Sequence, residues 1–240
     1  MPKTAVVTGT SSGIGLAIAR KLLADGWQVR GLDRAQPVVR ADNFTSQVVD
    51  LTDGNALQTA LDAALGSVLG SASGDVVPDA VVHAAGLFRV GSLGALNPLE
   101  GEAMWRLHVD AATHLANRLL PAMQAKGRGS MVLVGSRVSG GMAGRSQYAA
   151  SKAALVSLAR SWAAESIAKG VTVNVVSPAA TDTPMLADPA RANTAPQLPP
   201  IGRLIQPEEV AALVAFLLSN DAAAITGQDI AICGGFSVKV

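Results

Sequence analysis

The sequence predicts an α/β fold: a doubly wound parallel sheet of about seven strands with helices on both faces. Two observations carry this expectation. Short runs rich in β-branched residues, apolar on both faces, alternate with longer stretches of helical character. The first such run also ends in a glycine-rich turn that opens directly into a helix. The 240 residues, 49% hydrophobic, suffice for one sizeable core, and no repeat or linker divides them, so residues 1–240 read as a single domain.

The strands are expected at TAVVT (4–8), QVRGL (28–32), SQVV (46–49), DAVVHA (79–84), SMVLVG (130–135), VTVNVV (171–176) and DIAIC (229–233). Helices are expected between them at Ile14–Ala24, Ala56–Leu69, Glu100–Lys126, Gln147–Lys169 and Pro207–Ser219. Alternation of this kind implies right-handed crossovers between parallel strands. One irregular segment, residues 183–203, is rich in Pro and Ala and has few charges. A loop of this length in a compact domain is expected to bind substrate or to close over a cofactor.

Composition narrows the function. A formal net charge of +1 without any block of like charge makes no electrostatic case for a nucleic acid or an anionic membrane as partner. No apolar run is long enough to span a bilayer, despite a positive mean hydropathy. The N-terminal MPKTAVVTG enters a strand-like run with no secretory pattern, and the lone Cys233 cannot form an internal disulfide. These features lead to the expectation of a cytoplasmic protein. The three histidines have no ligand-like spacing with carboxylates or Cys233, so no metal is expected.

The turn VVTGTSSGIG places Gly9, Gly13 and Gly15 between the first strand and the first helix. Glycine lets the backbone turn tightly and approach a pyrophosphate, whose charge the exposed N–H groups of a helix N-terminus then meet. The second strand ends in GLDR. Asp33, eighteen residues after Gly15, is at the separation expected of a carboxylate that binds adenosine ribose hydroxyls. Such a carboxylate repels a 2′-phosphate, and Ser12 offers no positive charge in its place, which favours NAD over NADP. Arg34 is the counterweight, since a guanidinium there can bind a phosphate.

Tyr148 is the only tyrosine, and Lys152 follows it in YAASK. Residues i and i+4 share a helix face, so phenol and ammonium can point into one cleft. A free phenol has a pKa of about 10, and lowering it by about 3 units takes roughly 4 kcal/mol of preferential phenolate stabilisation. One nearby cation supplies about 1–3 units, and an oxidised nicotinamide could supply the remainder.

Taken in order, TGTSSGIG (8–15), VVDL (48–51), HAAG (83–86), GS (135–136), YAASK (148–152), SPAATDT (177–183) and the closing TGQDIAICGG (226–235) resemble the short-chain dehydrogenases/reductases over essentially the whole chain. The resemblance implies a Rossmann fold and an oxidoreductase. It implies Tyr148 as general acid or base, Lys152 as the group that lowers the phenol pKa and holds the nicotinamide ribose, and Ser136 as the hydrogen bond to the substrate oxygen. It assigns cofactor contacts to Gly9, Ser11, Ser12, Gly13, Ile14 and Gly15, to Asp33 and Arg34, to Asp50 and Leu51 at the adenine, and to His83, Ala84, Ala85 and Gly86. Pro178, Ala179, Thr181 and Thr183 would surround the nicotinamide amide, with Ala179 where glycine is usual. Asp50 alternatively reads as an acid capping the helix near Asn55.

Two further positions depart from the family, and both are histidines. His83 stands where asparagine usually begins the NAAG-type turn. His108 falls where the family's fourth catalytic residue, an asparagine, holds a relay water largely through its main-chain carbonyl. A histidine there is expected to keep the carbonyl and add a side chain that titrates near neutrality; its alternative is a satisfied helix residue without a role in turnover. Arg137 and Arg145 flank the segment between Ser136 and Tyr148, either facing solvent or a subunit contact, or attracting an anionic substrate group. Trp105 and Trp162 read as packing residues on the two long helices. The family pairs those helices across subunits, which implies a homotetramer, with a dimer as second choice.

The leading functional expectation is hydride transfer between NAD(H) and a secondary alcohol or ketone, a small molecule. Behind it stands a 3-oxoacyl thioester reductase of the same family, placed second because Asp33 argues against NADPH. A dinucleotide-binding sensor or scaffold without turnover is the alternative from another class.

Overall fold

A computed structural model describes residues 2–66, 76–188 and 197–238. The strands are β1 (Thr4–Thr8), β2 (Gln28–Asp33), β3 (Phe44–Val48), β4 (Ala80–His83), β5 (Gly129–Val134), β6 (Val171–Pro178) and β7 (Asp229–Ile232). The helices are α1 (Gly13–Ala24), α2 (Gly54–Leu65), α3 (Pro98–Trp105), α4 (Ala111–Lys126), α5 (Ser146–Ser166) and α6 (Pro207–Leu217). All seven strands pair in parallel in the order β3-β2-β1-β4-β5-β6-β7.

Successive side chains of a strand point to opposite faces, so each central strand feeds two cores. Val6, Val81, Met131 and Val173 turn toward α2, α4 and α5, where Leu57, Leu61, Leu115, Leu119 and Leu155 meet them. Ala5, Val82, Val132 and Val176 turn the other way, toward Ile18 and Leu22 of α1 and Val210 and Val214 of α6. This two-sided burial is why the strand sequences show no polar alternation. Each fully buried aliphatic side chain contributes roughly 1.5–3 kcal/mol.

Because β1 lies between β2 and β4, the chain leaves its carboxyl end to one side and later returns on the other. That reversal opens a crevice between the loops that follow β1 and β4, where such sheets bind their ligands.

The boundaries differ from the sequence expectation where tertiary contacts override pattern. The single helix expected over Glu100–Lys126 is two helices joined by a π-helical turn, Arg106–Asp110, in which the Ala111 N–H reaches back to the Arg106 carbonyl. The preceding helix begins earlier, at Pro98, because the Asn97 side chain caps it by accepting the Leu99 N–H. The helix expected from Ala56 starts at Gly54, capped by Asp53, which accepts from the Asn55 and Ala56 N–H groups. Asp53 is therefore the capping acid there, while Asp50 accepts from Thr52 instead. Residues 67–69 of that expected helix lie outside the described residues. Trp162 packs against the core as expected, but Trp105 is largely exposed on α3.

Candidate active site

The crevice starts at the glycine turn. Gly9 sits at φ +77°, and a Cβ there would stand 2.9 Å from the Ala85 backbone, so only glycine lets the loops after β1 and β4 approach this closely. Gly15 is held for a second reason: a Cβ would run into the Gly9 carbonyl. No side chain caps the N-terminus of α1, and its first turn carries no acid. Its N–H groups therefore open toward a cleft lined by Ser12, Gly13, Ile14, Asp33 and Asp50. Asp33 is fixed at the β2 end by two backbone donors: the Ser11 N–H reaches one carboxylate oxygen at 2.8 Å and the Ala35 N–H the other at 2.9 Å. Leu51, Ala84, Ala85 and Gly86 complete this end, with Arg34 at the rim.

A second cavity continues the first, sharing Ile14, Ala84, Gly86, Leu87, Thr183 and Met185 with it. Its walls bring together Ser136, Tyr148 and Lys152. Ser136 follows β5 in extended conformation and begins a short 3-10 turn, Arg137–Gly140. Tyr148 and Lys152 come from successive turns of α5, both buried. Phe88 packs edge-on to the Tyr148 ring at 4.7 Å between centroids. Lys152 donates to the Val134 carbonyl at 2.9 Å, and burial pushes its ammonium down to about 7. Pro178, Ala179 and Thr181 line this cavity as well, at the end of β6.

The two histidines are resolved by their partners. The Ala84 and Ala85 N–H groups both donate to Thr8 Oγ1, so the Thr8 hydroxyl hydrogen goes to His83 Nδ1 at 2.9 Å. His83 then carries its proton on Nε2 and donates to the Leu107 carbonyl at 3.0 Å, inside the π turn. His83 lines neither cavity, which corrects its expected place among the cofactor contacts: it ties β1 and β4 to the π turn from below. Burial drives its pKa down to about 3, aided by the Lys152 charge and opposed by the Leu107 and His108 carbonyls.

His108 is the opposite tautomer. The Leu87 N–H donates to its Nε2 at 3.0 Å, so its own proton is on Nδ1 and goes to Ser151 Oγ at 2.9 Å. The Ser151 hydroxyl in turn donates to the Tyr148 carbonyl at 2.8 Å. Burial, then the charge of Lys152, hold His108 well below its usual range. The expected titration near neutrality is therefore corrected: a proton on Nε2 would cost the Leu87 bond in a site with no water-exposed surface. Sequence reasoning missed Ser151, Leu87 and Phe88, because their roles depend on which turn of α5 and which loop meet at the π turn. The signal available for Ser151 was its place between Tyr148 and Lys152.

The comparisons with known proteins agree with this arrangement. A family model described as enoyl-(acyl carrier protein) reductase matches residues 9–237. The 3-oxoacyl-[acyl-carrier-protein] reductase FabG of Escherichia coli (strain K12) is 34% identical over 97% of this chain and 96% of its own. A solved short chain dehydrogenase/reductase family protein superposes with a TM-score of 0.82 at 32% identity, covering 98% of both chains. This chain belongs to the short-chain dehydrogenase/reductase family. A further solved relative, the 3-ketoacyl-(acyl-carrier-protein) reductase of Brucella melitensis complexed with NADH, superposes with a TM-score of 0.86 at 26% identity, over 98% of each chain.

This short-chain dehydrogenase/reductase is an oxidoreductase, and its crevice fits the dinucleotide that the family implies. The uncapped start of α1, the glycine that no side chain can replace and the anchored Asp33 border a cleft continuous with the Ser136, Tyr148 and Lys152 wall. The segment after β6 is pinned at its stem, where Thr181 bridges Ile205 in parallel and Asp182 N–H donates to the Ile205 carbonyl. From that stem a 3-10 turn, Pro184–Ala187, carries Met185 over both cavities. Residues 189–196 of the expected 183–203 segment lie outside the described residues. No described helix is long and apolar enough to cross a membrane.

Proposed function

We propose that this protein reduces the keto group of a 3-oxoacyl thioester with NADH. The observation that carries the reading is the convergence of Ser136, Tyr148 and Lys152 on one wall of a cleft that runs unbroken to the glycine turn. The curated relative named above supports the thioester over the general secondary alcohol or ketone that the sequence ranks first. Asp33 supports NADH, since a carboxylate at the end of β2 would repel a 2′-phosphate, and a relative solved with NADH is in keeping with that. Arg34 at the rim favours NADPH.

The dinucleotide supplies the hydride when bound. Ser136 Oγ donates to the carbonyl oxygen and polarises it. Tyr148 delivers the proton that this oxygen takes up as the carbon is reduced. The Lys152 ammonium, tethered to Val134, stabilises the phenolate that remains, and is held at a pKa from which it can re-supply that proton. His108 positions the reacting groups through Ser151 and Leu87 rather than carrying a proton itself. The reading takes residues 1–240 as one dinucleotide-binding and catalytic domain, working in the cytoplasm as a homotetramer.

The test is nicotinamide absorbance with acetoacetyl pantetheine as substrate, NADH against NADPH. Consumption of NADH with a kcat/KM above that of NADPH supports both parts. Consumption with simple ketones but none with the thioester returns the function to the general alcohol reading.

A further inference from the structure

Two guanidiniums line the substrate cavity next to the reacting residues. Arg137 follows Ser136 directly, and Arg145 stands three residues before Tyr148; both border the same cavity as those two residues. Among the described residues neither makes an ion pair or a side-chain hydrogen bond. Each instead lies over an aromatic ring, the Arg137 guanidinium carbon 3.9 Å from the Phe236 ring centre and that of Arg145 5.5 Å from the Phe88 ring centre. A contact with a ring consumes none of the five N–H donors of a guanidinium.

The rest of the wall removes the usual partners. Among the described residues no Asp or Glu lines this cavity, although the chain has 18 acidic residues. Lys152, the third cation on the wall among the described residues, donates to the Val134 carbonyl and serves the phenol. By contrast Arg89, next to Phe88, is neutralised between Glu100 and Asp188 and does not line the cavity. Neither Arg137 nor Arg145 borders the glycine-turn half of the cleft, so the dinucleotide's pyrophosphate is not their ligand. Burial, then the nearby Arg137 charge, hold the Arg145 guanidinium below its usual pKa, opposed by Tyr148.

We infer that the substrate carries an anionic group, a carboxylate or a phosphate, which Arg137 and Arg145 bind together while the keto group faces Ser136 and Tyr148. This rests on the hydride-transfer reading above and specifies the substrate class for it. A guanidinium pair held over two rings loses little freedom on binding an oxyanion and can meet it with paired N–H···O bonds. An anion held here also fixes which end of the substrate enters first, and so which face of the ketone meets the hydride.

Three substrates distinguish the outcomes: acetoacetate, acetoacetyl phosphopantetheine and the neutral acetoacetyl pantetheine. The inference predicts that kcat/KM for one of the anionic substrates exceeds that of the neutral thioester. It further predicts that this ratio falls about tenfold or more, through KM, in Arg137→Leu and in Arg145→Leu. Arg145→Lys, which keeps charge without the fork, retains part of the ratio. A ratio that falls for acetoacetate identifies a carboxylate, and one that falls for the phosphopantetheine ester identifies a phosphate. Calorimetric binding of the same compounds to the protein–NAD complex reads the same preference without turnover. NADH consumption with no preference for either anion, or with a ratio unchanged in the variants, overturns the inference and leaves hydride transfer standing. Anion binding that depends on both arginines, without any NADH consumption, fails the proposed reaction instead.

Discussion

The Lys152 ammonium nitrogen stands 5.9 Å from the centre of the Tyr148 ring and donates to the Val134 carbonyl at 2.9 Å. One bond thus holds a buried amine beside the phenol. Burial brings Lys152 to about 7 from an ordinary value of 10.5, so the folded protein binds this proton more weakly than the unfolded chain does. Between those two values the unfolded state holds the extra proton, and stability rises with pH. Lys152→Met is therefore expected to be more stable than wild type at and below about pH 7 by a few kcal/mol, with the gap closing toward pH 10.5, while turnover is lost. Denaturant unfolding across that range checks it; a gap that does not change with pH contradicts it.

His83 gives the opposite window. Its pKa falls from 6.5 to about 3 on folding, so above 6.5 both states are neutral and its bonds to Thr8 and Leu107 contribute fully. As pH falls below 6.5 the unfolded chain takes up a proton that the fold refuses, and stability drops. His83→Asn is expected to be less acid-sensitive than wild type between pH 6.5 and about 3, seen as a flatter dependence of melting temperature on pH.

His108 supplies a prediction about rate rather than stability. Because Nε2 is occupied by the Leu87 N–H and burial keeps the ring neutral, His108 does not titrate in the working range. His108→Asn is expected to lower kcat about tenfold by releasing Leu87 and the Tyr148 turn, with the shape of the rate-against-pH profile unchanged. An altered acidic limb would restore a proton-carrying role for the imidazole.

Asp33 supplies a prediction about the choice between the two nicotinamide cofactors. Asp33→Ser removes the carboxylate held by the Ser11 and Ala35 N–H groups and leaves Arg34 at the rim. The ratio of kcat/KM for NADPH over NADH is expected to rise about tenfold or more, roughly 1.4 kcal/mol. An unchanged ratio assigns the discrimination elsewhere in the cleft.

Much of this was legible in the sequence, for identifiable reasons. The strands were readable because burial on both faces leaves unbroken apolar runs, and Gly9, Gly13 and Gly15 because no side chain tolerates that turn. Ser136, Tyr148 and Lys152 were readable as candidates from residue type and spacing, and they meet on one cavity wall. The π turn at Arg106–Asp110 was not, since it depends on His83 reaching the Leu107 carbonyl from another strand. Nor were the states of the histidines, because a single sequence does not say which backbone groups meet an imidazole. Arg137 and Arg145 were visible as charges but not as neighbours on one cavity wall where no described residue is an acid.

Tyr148→Phe tests the central claim most directly, because it removes one oxygen from a ring that Phe88 and His108 hold in place by packing. Measured together, NADH binding by fluorescence and NADH oxidation by absorbance separate the two functions of the cleft. The account predicts unchanged NADH affinity and a fall in kcat of about 100-fold to 10,000-fold. Turnover near the wild-type rate in this variant would contradict it, and the proton would then have to come from another group on the cavity wall.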